Sequence, residues 1–376
     1  LAFDEGQLIA GDRVVPVCEL EIELESGHPR AVIEVARRWV RRHGLWLDTR
    51  SKAERGTMLA RGRDMAAPVS GGEARLRPDH TPRQALQAIV AACRDAVIVN
   101  AAQLADGAHG PEHVHQLRVG LRRLRSGLRL LEGDPEAAAL ARSLAAPAAH
   151  LFRHLGAARD AAVLGGDLGQ ALAAALQEAG HPDGLDMTTP ASAVATVSPT
   201  AAVRDGASQA FFLDLLAAGL APLPASTAGR PVAPAGPPPV EPVHARPLHR
   251  LLAARLAAWH RAVRNDAARF DRLDEEARHR LRKRVKRLRY AAEFAAPLFE
   301  PKDLARTQKR LRRLQEHLGA LNDVTMALQR LQAAPGQDRP AGIAIGWLLA
   351  RRAALVDAAR RPARAVAKGR SGWKRR

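Results

Sequence analysis

Apolar and polar positions alternate over the first stretch of the chain, recur at the helical period over most of the rest, and lose any period in between. The alternating text is LAFDEGQLIAGDRVVPVCELEIEL, interrupted at Gly6 and at Gly11-Asp12, a dipeptide suited to a hairpin turn. In CELEIELESG the acids Glu19, Glu21 and Glu23 fall on one strand face and Leu20, Ile22 and Leu24 on the other. A helix is predicted from about Pro29 to His43, stopped by Gly44 as its C-cap. SKAERGTML then reads as a further strand carrying Lys52 and Arg55.

Residues 63–80 mix Pro, Gly and charge without an apolar period and read as a linker. From Thr81 the text becomes rich in Ala, Leu and Arg at helical spacing, with Pro82 where a first helical turn tolerates it. This predicts a mainly α fold with a small α+β unit, residues 1–62, in front. Two helical units follow, residues 81–220 and 246–365, joined by a Pro/Ala/Gly-rich connector at 221–245, and a basic tail closes the chain at 366–376. The longest apolar run, AGIAIGWLLA from Ala341, falls short of the roughly 18 residues that a bilayer span needs, so no membrane partner is predicted.

Two helical stretches share one pattern. With His115 as zero and about 100° per residue, Arg118, Arg122 and Arg125 share with His115 an arc of about 80°, and Arg129 lands inside it. Leu117, Leu121, Leu124 and Leu128 gather within about 60° on the other side. His279, Arg282, Lys286 and Arg289 repeat the offsets 164 residues later, backed by Leu281, Val285 and Leu288. HLGAARD from His154 and HLGALND from His317 recur at a separation of 163, which argues for an internal repeat.

A charged helix face is ordinarily just solvated surface. Such a face usually intersperses Glu with Lys for i,i+4 support, yet no acid occurs from Val114 to Leu130 or from Arg278 to Tyr290. Like charges at that spacing destabilise a helix unless an anion relieves them. The whole chain points the same way: 58 Lys+Arg against 39 Asp+Glu give a net charge of +19 and a pI near 11.3. Five Trp, one Tyr and seven Phe leave few platforms on which to stack bases, so phosphate is a better match than nucleobase. Cys18 and Cys93 make no disulfide framework, which suits a reducing cytosol.

The remaining candidates stay open at this level. His154 and His317 suit buried structural histidines, helix ends or ligands; Asp160 and Asp323 suit helix caps or partners that orient a neighbouring base. His150 and His154 have the i,i+4 spacing of a zinc pair, but the aligned position is Arg313 and no third ligand is near, which disfavours zinc.

Over roughly residues 81–365 the chain resembles the CHAD (conserved histidine α-helical) domains, through VHQLRVGLRRLRS from Val114, HLGAARDAAV from His154, RHRLRKRVKRLRYAAEF from Arg278 and HLGALND from His317. The resemblance implies two four-helix bundles related by a pseudo-twofold axis, around a basic surface or pore that binds inorganic polyphosphate without a cofactor. Its implied ligands are His115, Arg118, Arg122, Arg123, Arg125 and His154, with His279, Arg282, Lys283, Lys286, Arg287, Arg289 and His317. CELEIELESG and SKAERG resemble the C-terminal half of a CYTH domain, a triphosphate tunnel metalloenzyme that uses Mg or Mn. That resemblance implies metal-facing Glu19, Glu21 and Glu23, and Lys52 and Arg55 facing triphosphate oxygens; no catalytic residue is assigned. Its ExExK strand is missing from this chain, whose start at Leu1 looks like the middle of a domain, so a fragment of a longer triphosphatase-like protein is expected. The expectations in order are polyphosphate binding, tripolyphosphate hydrolysis by a fuller parent, and sequence-independent nucleic-acid binding. The compartment that fits is the cytoplasm, beside polyphosphate granules where these form.

Overall fold

A computed structural model describes residues 1–156, 166–181, 197–220, 247–333, 339–370 and 372–373. The predicted connector and Asp160 lie outside these residues. Strands β1 (Ala2–Ala10) and β2 (Arg13–Glu21) form an antiparallel hairpin, Ala10 facing Arg13 across the Gly11-Asp12 turn. Gly11 takes the positive φ that this turn demands. No other strand pairs with it among the described residues. Helix α1 (Arg30–His43) ends as predicted at Gly44, whose left-handed backbone returns an N–H to the Val40 carbonyl.

The predicted strand at SKAERGTML is instead helix α2 (Lys52–Ala60). Ser51 accepts from the Glu54 amide, and Glu54 accepts from the Ser51 amide at 2.8 Å, a capping box that overrides the β-like reading. Strand β2 stops at Glu21, so Glu23 falls off the end of the carboxylate row and is exposed.

The rest is helical: α3 (Pro82–Asp106), α4 (Pro111–Leu131), α5 (Pro135–His154), α6 (Asp167–Glu178), α7 (Pro199–Arg204), α8 (Gly206–Ala218), α9 (Leu248–Ala268), α10 (Glu275–Phe294), α11 (Pro301–Ala333) and α12 (Arg339–Ala367). Thr81 and Gln84 cap α3 reciprocally, and Pro82 sits in its first turn. Among the described helices α3 alone is long and apolar enough to cross a membrane, and its apolar residues are spent on the protein interior.

The two ladder helices are α4 and α10. Their apolar faces, Leu117, Leu121, Leu124 and Leu128 on one and Leu281, Val285 and Leu288 on the other, are buried in a single core that runs through both halves. Helices α4 and α10 pack directly on each other. Gly127 lets α4 press on both neighbours: a Cβ there would lie 2.3 Å from a methyl of Ile89 on α3 and 3.3 Å from the Phe294 ring on α10.

Two boundaries differ from expectation. Helix α6 falls in the first predicted unit, yet its Leu172 and Leu176 join Val324, Leu328 and Leu348 of α11 and α12 in a second, smaller core. Residues 63–80 are a strap rather than a free linker, because Ala74 and Leu76 are buried and polar side chains of α3 and α4 hold its backbone. The Asn100 amide bonds both the N–H and the C=O of Val69, and His113 reaches the Ala66 carbonyl at 2.9 Å.

Candidate functional site

The cationic fronts of α4 and α10 face one cleft of about 1100 Å³. Helix α4 contributes His115, Arg118, Arg122, Arg125 and Arg129; α10 contributes His279, Arg282, Lys283, Lys286 and Arg287, with Arg280 and Arg284 beside them. Phe152 of α5 and Gln315, Asn322 and Met326 of α11 line the walls too, together with two acids of α11, Glu316 and Asp323. The apolar backs of the two ladder helices fix this arrangement, because burying both in one core turns both fronts the same way.

Phe152 organises the first ladder. Its ring centroid lies 4.4 Å from the Arg118 guanidinium, 5.1 Å from that of Arg125 and 5.6 Å from that of Arg122. Arg118 is buried and also donates to the Phe152 carbonyl at 3.0 Å. On the second ladder His279 Nδ1–H donates to Asn322 Oδ1 at 2.9 Å, which orients the ring.

Several cations on and beside α10 are paired. Arg284 meets Asp266 at 2.5 Å, Arg280 meets Glu276 at 2.6 Å and Arg289 meets Glu293 at 3.5 Å. Among the described residues no ion pair reaches Arg122, Arg125, Arg129, Lys283, Lys286 or Arg287. The electrostatics follow. Burial, helped by Arg122 and Arg282 and resisted by Asp323, pushes the Lys286 ammonium down to about 6. Burial and the neighbouring Arg129 and Arg122 lower the pKa of Arg125; burial, Arg129 and Arg284 do the same for Arg287. Burial first, then Lys283, lowers His279. The cleft is thus a partly desolvated, predominantly cationic field in which the charged forms of Lys286, Arg125 and Arg287 are disfavoured until an anion enters.

Four expected ligands stand elsewhere. Arg123 turns away from the cleft: its guanidinium donates to the carbonyls of Gly71 and Gly72 at 2.8 and 2.7 Å and lies over the Phe294 ring, pinning the strap. Arg289 donates to Gln315 at 2.9 Å and lies over Tyr290. His154 is exposed and its ring lies against that of His150 at a tilt, 4.2 Å between centroids. His317 lines a separate basic groove of about 880 Å³ between α11 and α12, with Arg306, Lys309, Arg310, Arg313 and Arg361. Asp323 caps nothing, because α11 runs unbroken through HLGALND; it stands in the cleft wall and supports the charge on Lys286. Sequence reasoning missed Phe152 and Asn322, whose roles come from pairings across helices.

At the N-terminal hairpin, Asp4, Glu19 and Glu21 bring carboxylate oxygens within 4.8 Å of one another. The Lys52 ammonium bonds Glu21 at 2.7 Å, Glu19 at 3.0 Å and Asp4, while Arg55 pairs with Glu19. The two expected phosphate ligands therefore neutralise two of the three expected metal ligands, Glu19 and Glu21, together with Asp4. A divalent ion does not fit these residues as they stand, since Lys52 already supplies the cation at their meeting point.

A protein-family model described as the CHAD domain matches residues 88–332. The crystal structure of the CHAD domain from the plant Ricinus communis is similar with a TM-score of 0.58 at 27% sequence identity, covering 80% of this chain and 97% of that one.

Proposed function

Starting from a chain that belongs to the CHAD domain family, we propose that the cleft between α4 and α10 binds inorganic polyphosphate. The observation that carries this reading is that two cationic ladders, 164 residues apart in sequence, line one cleft in which, among the described residues, no ion pair reaches Arg122, Arg125, Arg129, Lys283 or Lys286. A flexible chain of phosphates can lie along α4 and α10 at once and relieve both ladders. Duplex DNA is too stiff and too wide to follow such a cleft, and a polymer without bases needs no stacking surface. Within the cleft Arg122, Arg125, Arg129, Lys283 and Lys286 are the direct phosphate ligands, while Phe152 and Asn322 hold their neighbours in place.

Residues 1–62 lie outside the family match, and the tunnel-domain reading of them is a proposal of narrower scope. Its support is the carboxylate triad of Asp4, Glu19 and Glu21. With Lys52 and Arg55 seated on that triad, no step routed through a metal is derived for it. Parallel titrations with long-chain polyphosphate, tripolyphosphate and duplex DNA at moderate salt test the main reading. Long polyphosphate binds tightest if it holds, and equal affinity for duplex DNA of matched charge sinks it.

A further inference from the structure

Next to the cleft lies a second chamber of about 620 Å³, and the two share His279, Arg282, Asn322 and Met326 as common wall. The chamber differs in character. One side is apolar, from Leu318, Leu321 and Met326 of α11, and the rest carries carboxylate, amide and hydroxyl groups from Glu275, Glu276, Gln329 and Thr325, with Arg278 and Arg352 among them. Glu275 already accepts from Gln329 at 3.0 Å and faces Arg352 at 3.4 Å, so its carboxylate is fixed at the chamber's end. An inorganic phosphate chain has no use for an apolar wall, nor for an acid at the end of its path.

The compartments follow one another along α10. Glu275 to Arg282 is about 10 Å of helix axis, and Arg282 to Lys286 about 6 Å more, at 1.5 Å per residue. A ligand matched to both has a compact, flat, mostly apolar body with N–H donors at its far edge, and a phosphate chain at the other end. The volume is in the range of small-molecule pockets and well above what a phosphate needs. An acyl chain has no donors for Glu275, and a bare sugar phosphate leaves the apolar wall unfilled.

Building on the polyphosphate reading of the cleft, we infer that the chamber holds the nucleoside of a nucleoside polyphosphate. The base lies against Leu318 and Leu321 with its N–H edge toward Glu275, and the phosphates pass Arg282 and enter the cleft at Lys286.

The test compares adenosine triphosphate with inorganic tripolyphosphate by calorimetry on the full chain, without divalent ions. ATP is expected to bind at least tenfold tighter, although it carries no more phosphates. Thr325→Phe fills the chamber without touching the cleft, and Gln329→Phe does so from an exposed position where folding is little at risk. In either variant that melts like the parent, the ATP advantage should vanish while tripolyphosphate affinity stays within about twofold. ATP binding no tighter than tripolyphosphate, or an advantage that survives both substitutions, overturns the assignment of the chamber alone. Failure of the parent protein to bind tripolyphosphate at all removes the cleft reading, and this inference with it.

Discussion

The guanidinium of Arg118 lies 4.4 Å from the centre of the Phe152 ring and donates to the carbonyl oxygen of that same residue. One aromatic side chain therefore anchors a buried arginine from two directions, and it faces Arg122 and Arg125 as well. No ion pair reaches Arg122 or Arg125 among the described residues, which leaves their charge available to a ligand.

Phe152→Leu keeps an apolar side chain and removes the ring that three guanidiniums face. Each cation–π contact is worth about 0.5–1 kcal/mol at accessible sites, so loosening the set should weaken long-chain polyphosphate binding roughly three- to tenfold. The number of phosphates neutralised is unchanged. Affinity measured against salt should therefore fall without a change in slope; a flatter slope would mean that Phe152 supports phosphate contacts themselves.

Each ladder is needed. Arg122→Glu with Arg129→Glu removes charge from α4, and Lys283→Glu with Lys286→Glu removes it from α10; both pairs avoid the buried Arg118 and Arg123. Either pair should cost most of the affinity and flatten the salt dependence by of order one per lost contact. Thermal unfolding should shift little or upward, since same-sign repulsion is relieved. Parent-like binding by either double variant would rule out a two-sided site.

How much of this was legible in the sequence depends on whether the cause is local. The ladders were, because an acid-free arc over a Leu stripe needs only the helical period and the rule that apolar faces are buried. Arg123 shows the same rule applied too loosely. It falls at about 80° on the wheel, outside the arc of Arg118, Arg122 and Arg125, and the structure spends it on Gly71 and Gly72. Arg287 has the same register but lines the cleft and lies over Trp259, so register alone does not decide the fate of a flank residue. Helix α2 was legible in principle from the Ser51–Glu54 spacing. The unbroken α11 was hidden by Gly319, which costs a helix about 1 kcal/mol, too little to stop one of 33 residues with a buried apolar face. The His279–Asn322 bond joins residues 43 apart and had no sequence signal.

Arg122 and Arg123 are adjacent and should behave oppositely. Arg123→Met deprives the Gly71 and Gly72 carbonyls of a charged donor, at a cost of about 2–4 kcal/mol for hydrogen bonds of that kind. Denaturant midpoints should drop, with residues 63–80 losing amide protection first, while polyphosphate affinity and its salt slope hold. Arg122→Met should leave the midpoint in place and weaken binding. The reverse pattern would place Arg123 in the cleft.

The hairpin should not hydrolyse triphosphates. Lys52 and Arg55 occupy the carboxylates that a metal would need, so no phosphate release from tripolyphosphate is expected with Mg or Mn present. Lys52→Met should loosen α2 from the hairpin by taking the cation away from Asp4 and Glu21, visible as faster amide exchange in β1. Sustained turnover by the parent protein would contradict the closed ion cluster.

Lys286 gives the cleft a pH dependence whose sign can be worked out. It faces Arg122 from α4, Arg282 and Arg289 from its own helix, and Asp323 from α11, and burial with those cations pushes it down to about 6 from 10.5. Between these two values the unfolded chain holds a proton on this lysine that the folded chain lacks, so free-protein stability should rise with pH across that window. Binding runs the other way. Phosphates restore the ammonium, the complex takes up a proton, and log affinity should fall as pH rises above 6, with a slope approaching one per pH unit if Lys286 is fully recharged. Burial, then Lys283, lowers His279 from 6.5, away from the alkaline part of the window; long chains keep the contribution of terminal phosphates small. Calorimetry at pH 8 in buffers of different ionisation enthalpy should report uptake of close to one proton per site. Lys286→Arg, charged throughout, should bind with an affinity nearly independent of pH from 6.5 to 9 and with no proton uptake. An unchanged pH profile in that variant would show that the linked proton belongs to another group.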